Sequence, residues 1–333
     1  MKRIFLTGII VLFSLPLFAG PGASSIDILK LASGIKSQAM GGAYTALSDD
    51  PEGMDTNPAG LSLMPSNGII FVHDIYLMDI FYDSLYYVHS FEDAGALGIS
   101  VKYLSAGSVA EAYENELGDF TGYGGELSGY NFLVGAGYST GLDKLFYNEI
   151  TRNINIGIAL NITGESLGDD YSNFGVSVDA GVIYTIVIEE PDFMSNRGKT
   201  ILNKAGIGVV LKNAGTSFEG SGTPLAAGIG GYIQILNIAS EGNRLRISAD
   251  IESGAETGVL AKLGAEYRQE LGNMHFALRT GANFGGEETQ RGALSAGAGI
   301  GIKADRSIYE INYVFLPFGD LGSSNKIGVY ASF

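Results

Sequence analysis

The chain has 333 residues, with 20 basic against 36 acidic side chains (formal net charge −16), 49 glycines and no cysteine. So acidic a chain is a poor partner for nucleic acid, and the lack of cysteine excludes a disulfide framework, a thiolate metal site and a lipidated N-terminal Cys. Its three histidines stand at no metal-motif spacing, so no metal, cofactor or histidine-based catalytic centre is expected.

The first element is a secretory signal peptide over residues 1–19. Met1, Lys2 and Arg3 form a positive n-region, Ile4 to Leu17 an apolar h-region, and the small residues Ala19 and Gly20 follow Pro16. The run is too short to span a bilayer as a helix; the other reading is an uncleaved anchor. Removing Lys2 and Arg3 leaves 18 basic against 36 acidic residues, a formal charge of −18. With no polybasic run, any contact of the chain with a membrane is expected to be made through apolar area.

Residues 20–66 form the part that does not read as strand. In "IDILKLASGIKSQAMGGAYTAL" the positions Ile28, Leu31, Ile35 and Ala39 have helical spacing, which predicts a helix interrupted at Gly41-Gly42. Asp49-Asp50-Pro51 ends any continuation, and Asn57-Pro58 sets a rigid turn before the first strand. Gly41-Gly42 serves either close approach of the backbone to a wall or a helix cap. Asp49 and Asp50 read as a pair that could bind a cation or, more simply, as a solvated turn.

From residue 67 onward the signal is alternation. In 153–163, Ile154, Ile156, Ile158, Leu160 and Ile162 fall on one face, with only small or polar residues on the other. Residues 244–252 and 259–268 repeat the rule, with charges of both signs on the second face, as a wet lumen lining requires. Fourteen candidate strands follow, from 68–77, 83–91, 95–106 and 127–140 through to 307–317 and 325–333. Most reach the ~9–11 residues that a tilted strand needs to cross a bilayer. Mean hydropathy is +0.18 and no second apolar run is long enough for a spanning helix. Together these predict an all-β fold, a transmembrane antiparallel β-barrel of about fourteen strands over 67–333, with 20–66 as a plug in its lumen.

Lys262, Glu266, Arg268 and Arg279 are the expected lumen-lining charges, meeting polar plug groups because an unpaired charge in a dry lumen is costly. Glycine gathers on the non-aliphatic face (Gly206 and Gly208; Gly228 and Gly230; Gly297, Gly299 and Gly301), either to admit the plug or as low-bulk filling. Counting parity from a periplasmic N-terminus puts the largest outer loop at 107–126, an acidic lid. The inner connections 141–152 and 188–203 are longer than such barrels favour. The last strand ends on Phe333, which resembles the signature by which bacterial outer-membrane proteins are handed to the barrel-assembly machinery.

The string "SGIKSQAMGGAYTALSDDPEGMDTNPAGLSLM" resembles the N-terminal hatch of the FadL-type outer-membrane transporter superfamily, and more closely its PorV/PorQ branch. The matching positions are Met40, Gly41, Gly42 and Ala43, then Ala46, Asp49 and Asp50, then Asn57, Pro58, Ala59, Gly60 and Leu61. Where the family commonly has an aromatic pair before Asn-Pro-Ala, this chain has Asp55-Thr56. The resemblance implies an integral outer-membrane channel or transporter for hydrophobic small molecules such as long-chain fatty acids. Its partners would be outer-membrane lipid and a lipophilic ligand. The alternative is a PorV-like component that works with secretion-system proteins in secretion or surface assembly, and a third reading is a soluble periplasmic sandwich. No enzyme is expected: fragments such as Gly220-Ser221-Gly222 read as turns, and no G-x-S-x-G elbow has a His partner.

Overall fold

The alternating segments close on themselves. The computed structural model describes residues 27–333 apart from 78–79, 116, 147–150, 169–170, 190–198, 218–221, 239–240, 256 and 286–293, and its strands form one closed antiparallel barrel. In chain order they are β1 (Gly68–Ile75), β2 (Phe81–Phe91), β3 (Gly95–Glu114), β4 (Phe120–Gly141), β5 (Ile154–Leu167), β6 (Tyr171–Val187) and β7 (Ile201–Ser217). They continue with β8 (Ala226–Leu236), β9 (Asn243–Gly254), β10 (Gly258–Leu271), β11 (Met274–Gly285), β12 (Leu294–Ala304), β13 (Ser307–Pro317) and β14 (Ser323–Ser332). Each strand pairs with its neighbours in sequence, and β1 closes on β14 with Gly68 opposite Ser332 and Ile75 opposite Asn325. Closure leaves no sheet edge in the wall, the condition for burying backbone in hydrocarbon. The signal-peptide residues 1–19 and the start of the plug segment lie outside the described residues.

Side chains sort by the pleat. On β5, Ile158, Leu160 and Ile162 project outward, Ile158 being 53% exposed, while Ala159, Asn161 and Thr163 are buried in the lumen, Ala159 at 1%. The same division holds on β9, where Ile247 and Ile251 are exposed and Ser248 and Asp250 buried. The outside is therefore a wall of aliphatic and aromatic residues, and the inside is small and polar. Chain polarity gives the barrel two ends. Asn67, which precedes β1, and Phe333 meet at one of them, where the Phe333 N–H donates to the Asn67 carbonyl at 3.1 Å. The β1–β2 and β3–β4 turns lie at the other.

Two expectations change and the strand parity holds. Residues 107–126 form no lid loop: β3 runs to Glu114, β4 begins at Phe120, and the two pair into a hairpin from Ser108 opposite Ser128 to Glu114 opposite Phe120. β2 leaves β3 at Ser105 and β5 leaves β4 at Gly129, so the hairpin stands roughly 25 Å beyond its neighbours along the strand. Wet on both faces and broken by register shifts after Ser105 and Ala110, it has no period of two to read. The connection 141–152 holds a short helix, Leu142–Leu145, and the strand parity survives. Finally, the spacing of Ile28, Leu31, Ile35 and Ala39 produces only one helical turn, α1 (Lys36–Ala39), preceded by a 3-10 turn at Asp27–Leu29. Four residues bury nothing alone; the apolar side chains of this stretch pack on the barrel wall instead of on a helix face.

Candidate functional site

Residues 28–64 lie inside the barrel, held by a few buried acidic side chains. α1 would leave its first N–H groups without partners, but the Glu52 carboxylate accepts from the Ile35, Lys36 and Ser37 N–H groups at 2.8, 2.9 and 3.0 Å. The chain then turns at Gly41, whose φ of +64° and approach to the Ala282 N and Leu263 O of the wall leave no room for a Cβ. There the Gly41 N–H donates to the Ser295 hydroxyl oxygen, and that hydroxyl donates to the Ala39 carbonyl, both at 3.0 Å. Met40 is buried beside it, against Tyr44 and Leu47.

The adjacent acids Asp49 and Asp50 point to different partners. Asp49 accepts both terminal nitrogens of Arg246 on β9, at 3.2 and 2.5 Å. Burial alone would push its carboxyl up, but the Arg246 guanidinium takes it below its ordinary value. Asp50 turns inward, accepting from the Tyr44 hydroxyl at 2.8 Å and the Glu52 N–H at 3.0 Å, with the Lys36 ammonium 3.7 Å away. Burial, then the neighbouring Glu52 carboxylate, push the Asp50 carboxyl up to about 7, against the pull of Lys36. Rather than a solvated turn, they form two separate contacts: one acid latches to the wall and the other braces the plug. Among the described residues no group of three or more His, Cys, Asp or Glu side chains is placed to hold a metal ion.

A second helical turn, α2 (Gly53–Thr56), leads through Asn57 into a 3-10 turn at Pro58–Leu63. Fully buried, Asn57 accepts from the Ala59 N–H at 3.1 Å and donates to the carbonyls of Thr45, at 2.9 Å, and of Val209 on β7, at 3.3 Å. One side chain thus ties the turn to itself, to the Gly41–Ser48 stretch and to the barrel. Wall glycines make the space: a Cβ on Gly181 would strike the Asn57 amide, and one on Gly157 would overlap the Pro58–Ala59 backbone. Gly60 faces Ser48 within the plug just as closely. Of the glycine faces read from sequence, Gly208 and Gly297 meet the plug at Thr45 and Ala39, while Gly230, Gly299 and Gly301 make room for Asp250, Asn312 and His275. Both readings of those glycines hold, each at its own positions.

Lys262, Glu266, Arg268 and Arg279 all project into the lumen, but among the described residues none forms an ion pair with the plug. They pair along the wall. Glu266 lies opposite Arg246 on β9 and Arg279 on β11, and it accepts from Arg279 Nε at 2.8 Å and Arg244 at 3.0 Å. Arg279 also reaches Glu310 at 3.2 Å, Arg268 lies 3.7 Å from Glu310, and Lys262 lies 3.1 Å from Glu252. Of these pairs, Glu266 with Arg279 is directly cross-strand; the others reach diagonally or across one or two intervening strands, and Arg246, directly opposite Glu266, turns to Asp49 of the plug. The plug is instead met by Arg246 through Asp49, by Asp250, which accepts from the Thr45 N–H at 2.8 Å, and by Glu310, 3.7 Å from Lys36. Facing the opposite wall, Asp55 of α2 accepts from Ser33 of the plug at 2.7 Å and from Tyr86 on β2 at 2.5 Å, and pairs with Lys102 on β3 at 2.6 Å. Asp55 is the position where the hatch pattern commonly has an aromatic, and that departure was its one signal in the sequence. Glu52 had none beyond its acidity, and Arg246 had only its place on a charged strand face.

A family model described as "Uncharacterised protein family (UPF0164)" matches residues 20–232. No curated protein matches the chain. Similar solved structures include the toluene transporter TodX of Pseudomonas putida, at 12% identity and a TM-score of 0.49 over 90% of this chain and 97% of that one. The toluene transporter TbuX of Ralstonia pickettii has 11% identity and a TM-score of 0.48 over 90% and 97%. A FadL homologue of Pseudomonas aeruginosa has 9% identity and a TM-score of 0.47 over 95% and 99%.

Proposed function

We propose that this chain, which belongs to the family UPF0164, is an integral outer-membrane channel that passes hydrophobic small molecules, long-chain fatty acids or similar lipophiles, under the control of its plug. The observation that carries this reading is how the plug is held. Residues 28–64 occupy the lumen, and the contacts that seat them are side-chain hydrogen bonds, ion pairs and close packing, with no strand added to the sheet among the described residues. A segment attached in this way can shift without opening the wall, whereas a structural filler needs no such polar latches. The outward face, apolar on strand after strand, suits lipid, and the hatch motif supplies the substrate class through the family it resembles.

The test removes residues 26–50 while keeping the signal peptide. An assembled barrel with raised ion conductance in planar bilayers, and with lost uptake of a labelled long-chain fatty acid, is the expected result. Unchanged conductance in a correctly assembled deletion would overturn the reading. A second reading, a PorV-like role in secretion or surface assembly, draws on the projecting β3–β4 hairpin, where Leu117, Phe120 and Tyr123 are exposed beside Glu111, Glu114 and Asp119. Shortening that hairpin to a turn at Ser105–Gly129 would spare lipophile uptake and abolish surface delivery of a cargo protein if this role exists.

A further inference from the structure

One row of the lumen carries more positive charge than the carboxylates around it can meet. Arg268 on β10 stands directly opposite Arg244 on β9, both on the inner face and close to the end of the barrel where Asn67 meets Phe333. Direct neighbours on one face have Cβ atoms about 5 Å apart, and like charges so placed are destabilising. The row continues to Leu236 on β8, opposite Arg244, and to Ala277 on β11, opposite Arg268. Neither side chain offers an acceptor.

The acceptors nearby are already taken. Arg246 occupies both carboxylate oxygens of Asp49. Glu266 accepts from Arg244 at 3.0 Å through one oxygen and from Arg279 at 2.8 Å through the other. Glu310 accepts from Arg279 at 3.2 Å through Oε1, which Lys36 also approaches at 3.7 Å, and its Oε2 lies 2.9 Å from His275 Nε2. Arg268 is left 3.7 Å from that same Oε2, beyond hydrogen-bond reach. The Nε atoms of Arg244 and Arg268 are buried and have no hydrogen-bond partner among the described residues. Yet the two side chains are 26% and 16% exposed, so packing does not seal the pair.

Water can hydrate such donors, but it leaves the two like charges side by side. A single oxyanion cancels their repulsion and accepts from both planar forks at once, which is the group that guanidinium geometry matches. We infer that Arg244 and Arg268 form a binding site for one carboxylate or phosphate group at this mouth of the lumen, either a free anion or the head group of an amphiphile. The inference requires only the closed barrel with its inner face as described, and it is independent of what passes through the lumen.

The test titrates the full-length barrel, purified in a nonionic detergent, with laurate, acetate and inorganic phosphate by calorimetry, with dodecanol as the uncharged control. One saturable anion site per barrel is expected, which dodecanol does not fill. Binding of laurate alone identifies an amphiphile head group as the ligand; displacement of laurate by acetate or phosphate identifies a free anion. Arg268→Gln or Arg244→Gln should weaken the binding roughly tenfold or more. Arg306→Gln, which removes an exposed cation from the β12–β13 turn at the same end, should leave it unchanged. Heat-modifiable migration confirms that each variant is an assembled barrel, and Arg268→Lys, which keeps the charge and loses the fork, replaces Arg268→Gln where that variant does not assemble. Equal binding of laurate and dodecanol, an affinity that the Arg244 and Arg268 variants do not move, an equal loss in Arg306→Gln, or no saturable binding of any of the three anions would each overturn the proposal. The plug deletion reads conductance and uptake, so the channel reading stands or falls separately.

Discussion

The two walls that grip the plug do so by different means. Against β3 to β6 the later part of the plug is held largely by shape, beside one ion pair from Asp55 to Lys102 on β3: Met54 packs where Gly98 and Gly137 lack side chains, the Pro58 turn lies on Gly157, and Asn57 fits over Gly181. Against β9 to β13 the earlier part adds most of the charged and polar contacts, through Arg246, Asp250, Ser295 and Glu310, to the close approach of Met40 and Gly41 to the wall at Gly264 and Gly281. Shape contacts fall away over a fraction of an ångström, while charge contacts act at longer range and respond to protonation. The difference makes the packed side the anchor and the charged side the part able to let go. If that is right, damage to the packed side should unseat the plug outright, and damage to the charged side should change how often it is seated.

The largest effect is expected from Gly157→Ala. The added methyl would overlap backbone atoms of Pro58 and Ala59, which cannot rotate away, so the cost falls at or above the upper end of the ~1–3 kcal/mol usual for overpacking. The barrel should assemble and conduct ions as the deletion does. The next residue along separates wall from plug: Ile158→Arg, facing lipid, should cost on the order of 2–4 kcal/mol and impair assembly itself. Ala159→Arg faces the plug and should yield an assembled but leaky barrel. Identical outcomes for the two, read by heat-modifiable migration and bilayer conductance, would break the assignment of faces.

Asn57→Ala comes next, still on the packed side. It leaves the Thr45 and Val209 carbonyls and the Ala59 N–H without their partner, a loss of about 1–3 kcal/mol in plug seating. Conductance should rise, but less than in Gly157→Ala. On the charged side, Arg246→Ala strands Asp49 and should raise conductance by a similar or smaller amount. Removing Asp49 as well should bring the channel back toward wild type, because a broken buried pair costs more than an absent one. If the double variant leaks more than Arg246→Ala alone, the charged side is an anchor after all.

The strands were legible because a wall wet inside and apolar outside must alternate, and β5 and β9 do so residue by residue. Asn57 was legible as a turn former, since Asn before Pro has few other uses. Its bonds to Thr45 and Val209 were not, because they depend on where β7 passes, which no local pattern states. The charged residues were legible as lumen-facing but not in their partners. Whether Glu266 meets plug or wall is decided by register, and the register sets Arg246 and Arg279 directly beside it. The helix over 28–39 failed for a related reason: apolar spacing records that a segment is buried, and here the burying surface is the barrel. The hairpin of β3 and β4 was missed because beyond the wall nothing distinguishes its two faces.

The smallest expected effect is also the most specific to the charged side. Seated, Asp50 holds its carboxyl at about 7; released into water it returns toward 3.8, so seating the plug takes up a proton. The sign follows. The stabilisation that Asp50 gives the seated state is fully present below about pH 4, declines as pH rises, and is gone above about pH 7, with a limit of about tenfold in the seated-to-released ratio per pH unit. Asp49 runs the other way, but its carboxyl lies below its ordinary value, so its change falls below pH 4 and leaves the interval from pH 5 to 8 untouched. Over that interval wild-type conductance should rise with pH. Asp50→Asn keeps an acceptor for Tyr44 and Glu52 while carrying no charge, so its conductance should stay near the low value and rise less steeply. Every other titrating group is common to both proteins, and the difference between the two curves isolates Asp50. Parallel curves would show that the proton is bound elsewhere and that the brace formed by Asp50, Tyr44 and Glu52 does not take part in release.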